Sequence, residues 1–299
     1  MDRSLPIAAL LGVVVLSIGS AAPTTASAGP WTPDPGGGYV KGWAHWLPGL
    51  AWHAGPEAPE PGLHVIGAYN ELGAGTWAEL GVVEGFALTA HWMPVRTFLL
   101  GDPRSGMAEL HASTGEPEVG AKLRVVRHRR FVASLEAAVR TPVGDGRVRQ
   151  DVYSAAEGNP RVGGLRIDSG VWDVRAGVAL GVAWERRYIA ASGAVVLRTG
   201  GFHTLLLWSA EVGGPLGKKG RWQGRLRAAG QHPLGDGDAP WTDSPSGIGN
   251  GTRHFGLTAE AERQLDEHWS AGASVAASMG LAARQVHGPA VTLFAAYRF

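Results

Sequence analysis

Three arginines, Arg221, Arg225 and Arg227, recur at even spacing. On an extended strand alternate residues share a face, so their guanidiniums, charged at any physiological pH, would stand on one wall. That arrangement suits guiding an anion rather than breaking a bond. Glu260 and Glu262 alternate in the same way and can neutralise the ladder by pairing across strands. The three arginines outnumber the two glutamates, which predicts a weak anion preference. Hydrolytic chemistry is less well served. His111-Ala112-Ser113 and His268-Trp269-Ser270 each set a His two residues from a Ser, but such a pair needs a third polar group to orient the imidazole. Thr114 follows Ser113, and no orienting partner precedes it. His45, His53, His64 and His91 make no i, i+2 or i, i+4 pair. With no cysteine in the chain, thiolate nucleophiles and thiolate metal sites are excluded. No catalytic residue, metal or cofactor is expected.

The elements that carry these residues read as strands of period two. Trp172, Val174, Ala176, Val178, Leu180, Val182 and Trp184 alternate with Asp173, Arg175, Gly177, Ala179, Gly181 and Ala183. The same alternation runs through 131–141, 221–228, 255–262 and 269–280. Aliphatic residues bounded by Trp at both strand ends match a lipid-facing band with aromatic girdles, the signature of a transmembrane β-barrel. The expected girdle aromatics are Trp172, Trp184, Trp222, Trp269, Tyr297 and Phe299. The other face would line a lumen. Its candidates are Lys122, Arg124, Glu136, Arg140, Asp173, Arg175, His203 and Glu211, with Arg221, Arg225, Arg227, Glu260 and Glu262 on the later strands; Lys41, Glu79 and His91 fall on the same face.

Composition agrees. Charged residues make up 18% of the 299-residue chain, against roughly 25% in soluble domains. Glycine is abundant at 45 residues, which disfavours helix. The net charge of +1 lacks the basic surplus of a nucleic-acid binder. At the N-terminus, Arg3, the apolar run Ile7 to Ile18 and Ala26-Ser27-Ala28 read as a secretory signal peptide. The expected organisation is residues 1–28 as signal and 29–299 as barrel.

Short turns near 82–85, 128–130, 183–186, 214–219 and 265–268 alternate with longer connections near 48–73, 98–114, 142–168, 232–252 and 281–287, and with a short one at 199–201. This predicts an all-β, antiparallel up-and-down barrel of twelve strands, with both termini on the short-turn, periplasmic side. Segment 62–71 either extends the second strand or forms its own hairpin. Pro289, Val291, Leu293, Ala295, Tyr297 and the terminal Phe299 share one face. Such a closing strand is the kind that the barrel-assembly machinery engages, so outer-membrane lipid and that machinery are the expected partners.

Four segments carry a family resemblance. They are WTPDPGGGYVKGW from Trp31 to Trp43, AELGVVEGFALT from Ala78 to Thr89, GEPEVGAKLRV from Gly115 to Val125 and VRTPVGDG from Val139 to Gly146. Together they resemble the outer-membrane barrel family labelled for the meta-pathway of phenol degradation. The chain has Glu116-Pro117 where that family usually carries an Asp. The resemblance covers the N-terminal half and implies a transporter-like barrel in the bacterial outer membrane. It fixes no solute. The expected function is a route for small polar or amphipathic molecules; the alternatives are a structural or partner-binding barrel and, less favoured, an outer-membrane lipid hydrolase.

Overall fold

The computed structural model describes residues 29–54, 62–101, 108–143, 148–153, 161–166, 168–184, 186–217, 221–239, 249–278 and 285–299. These residues form a closed antiparallel barrel of twelve strands. In chain order the segments are β1 (Gly38–Ala54), β2 (Gly62–Val83), β3 (Phe86–Gly101), β4 (Ala108–Ser113), β5 (Glu118–His128), β6 (Phe131–Arg140), β7 (Val148–Tyr153) and β8 (Arg161–Arg166). They continue as β9 (Asp173–Trp184), β10 (Arg187–Arg198), β11 (Leu205–Leu216), β12 (Trp222–Pro233), β13 (His254–Gln264), β14 (Trp269–Ser278), β15 (Gln285–His287) and β16 (Pro289–Arg298). β4 and β5 both pair with β3 and act as one interrupted strand. β15 and β16 do the same along β1. β7 and β8 form a separate hairpin in the connection after β6. The barrel closes because β1 pairs with β16 on one edge and β2 on the other. Closure removes the unpaired strand edge, which a bilayer would otherwise leave unsatisfied.

The alternation read from sequence maps onto two faces. Val174, Val178 and Val182 of β9 are exposed outward, whereas Asp173, Ala179 and Gly181 are buried inward. Val291 and Leu293 face out between buried Ala290, Thr292 and Phe294. An outward belt of Val, Leu and Ile continues around the wall. So large an exposed apolar surface is foreign to a soluble monomer and is the surface that hydrocarbon covers. Trp222, Trp269 and Phe299 are exposed at the short-turn edge, and Trp172 at the opposite edge; Trp184 and Tyr297 are half-buried. Two more exposed tryptophans, Trp46 and Trp92, stand at the loop-side edge and bond to Asn70 (2.9 Å) and Thr114 (3.1 Å).

Three connections differ from the sequence expectation. The segment 48–73 is mostly strand: β1 and β2 pair continuously from Gly38↔Leu80 to Gly49↔Tyr69, then from Ala51↔Val65 to Ala54↔Gly62 after a register shift. Pro48-Gly49, at the start of that expected connection, stands beside a bulge in the ladder. Segment 62–71 therefore extends the second strand. In 98–114, β3 runs to Gly101 and β4 returns along it. In 142–168 the β7–β8 hairpin is present. The tight turns lie as expected. The β5–β6 turn places Arg129 at φ 52, in the left-handed region that two-residue hairpins require.

Candidate functional site

The inward side chains form charged clusters around the lumen. Near the short turns, Arg225 of β12 bonds to both Glu260 and Glu262 of β13. Lys41 reaches Glu260 from β1 at 3.0 Å and lies 3.5 Å over the Phe294 ring. Arg298 approaches Glu262 at 3.7 Å. The cross-strand register Arg225↔Glu260 makes this pairing direct. The arginine ladder is thus neutralised at its centre. Arg227 has Glu211, Glu260 and Glu136 as charged neighbours, and Glu211 also takes the Tyr188 hydroxyl. Arg221 alone of the three is exposed, at the rim.

On the β1–β3 wall, Glu71 is the hub of a second cluster. Arg96 donates to it at 2.7 Å and Tyr69 at 3.0 Å, while a His45 ring nitrogen lies 3.3 Å away. This cluster was missed in the sequence because 48–73 reads as a connection, which hides the period-two placement of Tyr69 and Glu71. Between the clusters, Arg175 bonds to Glu118 at 2.8 Å, and His91 stacks on Trp43 with ring centroids 5.4 Å apart. Buried charges of this kind persist only when paired and hydrogen-bonded; here the partners lie within β2, on neighbouring strands or, for Arg175 and Glu118, on either side of β6.

At the loop-side end, Asp173 binds Arg140 (2.7 Å) and Arg198 (3.1 Å). Arg140 also approaches Glu116 at 3.7 Å, and Glu116 caps Ser169 through the backbone N–H at 2.7 Å and through the hydroxyl. Arg198 donates to the Gly249 carbonyl at 3.0 Å and stacks over Phe202 at 4.6 Å. The fully buried Asn250 accepts the His203 amide (2.8 Å) and donates to the Ala239 carbonyl (2.8 Å). Gln231 donates to the Thr252 carbonyl at 3.0 Å. Segment 249–252 therefore folds into the mouth. His203, expected on a lumen strand, lies in the connection before β11; it is buried, and its Nδ1 accepts the Gly237 amide at 2.7 Å. A tight local hydrogen-bond set replaces strand geometry there.

The short-turn mouth holds a strap that the sequence did not reveal. Residues Gly29 to Asp34 enter the barrel. Lys122 Nζ donates to the Gly29 carbonyl at 3.1 Å, the Trp31 carbonyl at 3.4 Å and Glu79 at 3.1 Å. Ser134 donates to the Pro30 carbonyl. Trp31 meets Tyr188 edge-on at 5.5 Å. The wall makes room with glycine: a Cβ at Gly181 would stand 2.7 Å from the Trp31 ring, and one at Gly81 2.2 Å from the Asp34 carbonyl oxygen. Outside the strap a cavity of about 1090 Å³ opens to the mouth. The one signal in the sequence was Trp31 between Pro30 and Pro33, an aromatic with no strand to belong to.

The remaining predicted lumen residues also fall on the inward face. Arg124 bonds to Glu84 at 3.1 Å at the rim, and Glu136 is half-buried on β6. The Ser113 hydroxyl donates to the carbonyl of Thr114 at 3.2 Å. Among the described residues no group of three His, Cys, Asp or Glu side chains is placed to hold a metal. Among the described residues no helix is long and apolar enough to cross a membrane, which leaves crossing by strands open.

The fold has counterparts among solved structures. An outer membrane channel from Pseudomonas putida F1 superposes with a TM-score of 0.61 at 8% identity, over 92% of this chain and all of that one. The translocator domain of the autotransporter NalP from Neisseria meningitidis gives 0.48 at 10% identity, over 88% of each chain. The KdgM porin gives 0.46 at 8% identity, over 87% of this chain and 99% of that chain. No protein-family model matches the sequence, and no curated protein matches it. This chain therefore shares the barrel fold of an outer-membrane channel.

Proposed function

We propose that this protein is a channel of the bacterial outer membrane for small polar or amphipathic molecules. The carrying observation is a closed barrel with an apolar outer belt whose inner face is lined by charged side chains on nearly every strand. A barrel that only anchors a partner has no need of a charged interior, and polar lining is what conducts ions and hydrophilic solutes. The likeness to the Pseudomonas putida channel supports the reading at the level of fold, and the four N-terminal motifs extend it to kinship with the phenol meta-pathway barrels. Export follows from the N-terminal sequence. Gly29 lies inside the barrel under Lys122, where a chain cleaved after Ala28 would begin; mass spectrometry of the membrane-extracted protein should find Gly29 as its first residue. The assembly machinery would engage β16 and the Phe299 that follows it, whose backbone pairs with Gly38 (3.0 and 3.2 Å).

A structural role is the second reading, favoured by the lumen pairs and by chain filling both mouths. Planar-bilayer recording of the refolded protein separates the two. The channel reading expects discrete conductance steps; their lack in protein shown to be folded would leave the structural barrel. Hydrolysis of phospholipid would overturn both.

A further inference from the structure

The geometry points to the short-turn vestibule as a binding site for a small organic anion with a planar apolar body, of the aromatic carboxylate class. The proposal deepens the channel reading, since the site stands at one mouth of the lumen. The cavity of about 1090 Å³ is at the upper end of small-molecule sites, roughly 300–1,000 Å³. Its inner wall is the strap residue Trp31 set edge-on to Tyr188, an apolar aromatic corner with its rings already fixed.

The charge around that corner is unevenly spent. Among the described residues, five arginines line the cavity against three carboxylates, Glu79, Asp266 and Glu267. Glu79 is held by Lys122 at 3.1 Å. Asp266 accepts the backbone N–H groups of His268 and Trp269, each at 2.8 Å. Among the arginines, Arg225 is committed to Glu260 and Glu262, and Arg298 reaches Glu262 only at 3.7 Å with its side chain half exposed. Arg187 and Arg221 are exposed at the rim, at the starts of β10 and β12, the two strands that flank β11. The Thr32 hydroxyl, also on the lining, is buried with no hydrogen-bond partner among the described residues. Guanidinium groups recognise carboxylates through paired parallel hydrogen bonds. An anion with a ring can place its charge between Arg187 and Arg221 and its ring against Trp31.

The test uses the refolded full-length mature barrel in detergent micelles, with titration calorimetry of benzoate, benzyl alcohol and inorganic phosphate. Benzoate is expected to bind at one saturable site, with benzyl alcohol and phosphate each at least about tenfold weaker, a tenfold loss being near 1.4 kcal/mol. The double variant Arg187→Gln with Arg221→Gln should lower benzoate affinity to that of benzyl alcohol. Both positions are exposed, and heat-modified gel mobility checks that the variant is folded. Trp31→Leu should weaken benzoate but leave phosphate unchanged. No saturable benzoate binding overturns the site. So does equal binding of benzyl alcohol, which removes the anion, equal binding of phosphate, which removes the ring, or an unaltered double variant. Benzoate binding in a barrel without conductance would keep the site and sink the channel reading; conductance without benzoate binding would do the reverse.

Discussion

At the short-turn mouth the closing chain is a strap, Gly29 to Asp34, tied to the wall by Lys122 and Ser134. At the loop-side mouth it is segment 249–252, tied by Arg198, Gln231 and the His203 amide. Both use wall groups that donate to carbonyl or amide oxygens of the inserted chain. They differ in anchorage. The loop-side segment is continuous with β13 and so is held at a strand end as well as by its bonds. The strap is separated from β1 by residues 35–37, and it is held to the wall by Lys122, Ser134 and the Trp31–Tyr188 ring contact. Release of an inserted segment is governed by how many buried contacts it must break, and under the proposed channel reading we expect the short-turn mouth to be the one that opens.

The largest effect should come from removing the strap. Deleting Gly29 through Pro33 leaves all twelve strands intact and should raise single-channel conductance several-fold. An unchanged conductance would place the barrier at the loop-side mouth and reverse the comparison.

Next in size is Arg198→Gln, which breaks the loop-side anchor instead. It leaves Asp173 with Arg140 alone and frees the Gly249 carbonyl. Removing one partner of a buried ion pair costs about 3–5 kcal/mol, and the remaining Arg140 bond argues for about 3 kcal/mol. Urea unfolding in lipid vesicles reads the loss. Should Arg198→Gln open the channel and strap deletion fail to, the loop-side segment is the gate.

A third change tests the wall rather than the mouths. Val178 faces outward at mid-strand, where arginine should cost roughly 2–4 kcal/mol in a bilayer, while Val178→Leu should cost little. The inward neighbour Gly177 is not a neutral control, because a Cβ there would stand 2.1 Å from the Gly193 carbonyl oxygen. Equal stability of the arginine and leucine variants would mean that this face does not contact hydrocarbon.

The wall was legible in the sequence and the mouths were not, for a physical reason. Residues such as Trp172, Val174 and Val178 declare their face through a local period of two, which backbone geometry enforces. The inward placement of Arg225, Glu260 and Glu262 follows from the same period, and their pairing from the register between adjacent strands. No such rule links Gly29 to Lys122, which lie 93 residues apart, or Asn250 to the amide of His203. Irregular chain inserted into a lumen is held by long-range contacts that leave no periodicity. The β1–β2 extension failed differently: the Gly- and Pro-containing stretch 48–73 reads as a connection, while cross-strand pairing overrides the local signal.

The smallest effect belongs to Asp266, which sits in the β13–β14 turn beside the strap's mouth. Its carboxylate accepts the N–H groups of Trp269 and His268, and these bonds, that of Trp269 foremost, hold its carboxyl below the usual aspartate range. The folded state thus prefers the ionised form. The stabilisation is present above the ordinary aspartate range and is lost as pH falls through the lowered folded value. Because the group is fully exposed, solvent screens it and the gain is slight. Asp266→Ala should therefore be marginally less stable than the native barrel at neutral pH, with the gap closing in acid, as read by unfolding midpoints across a pH series. A gap that stays constant into acid would mean that Asp266 acts through turn geometry rather than charge. The same series, run with the strap deleted, shows whether the turn and the strap are coupled. If they are, the acid dependence should change when the strap is gone; if the short-turn mouth is held by Lys122 and Ser134 alone, it should not.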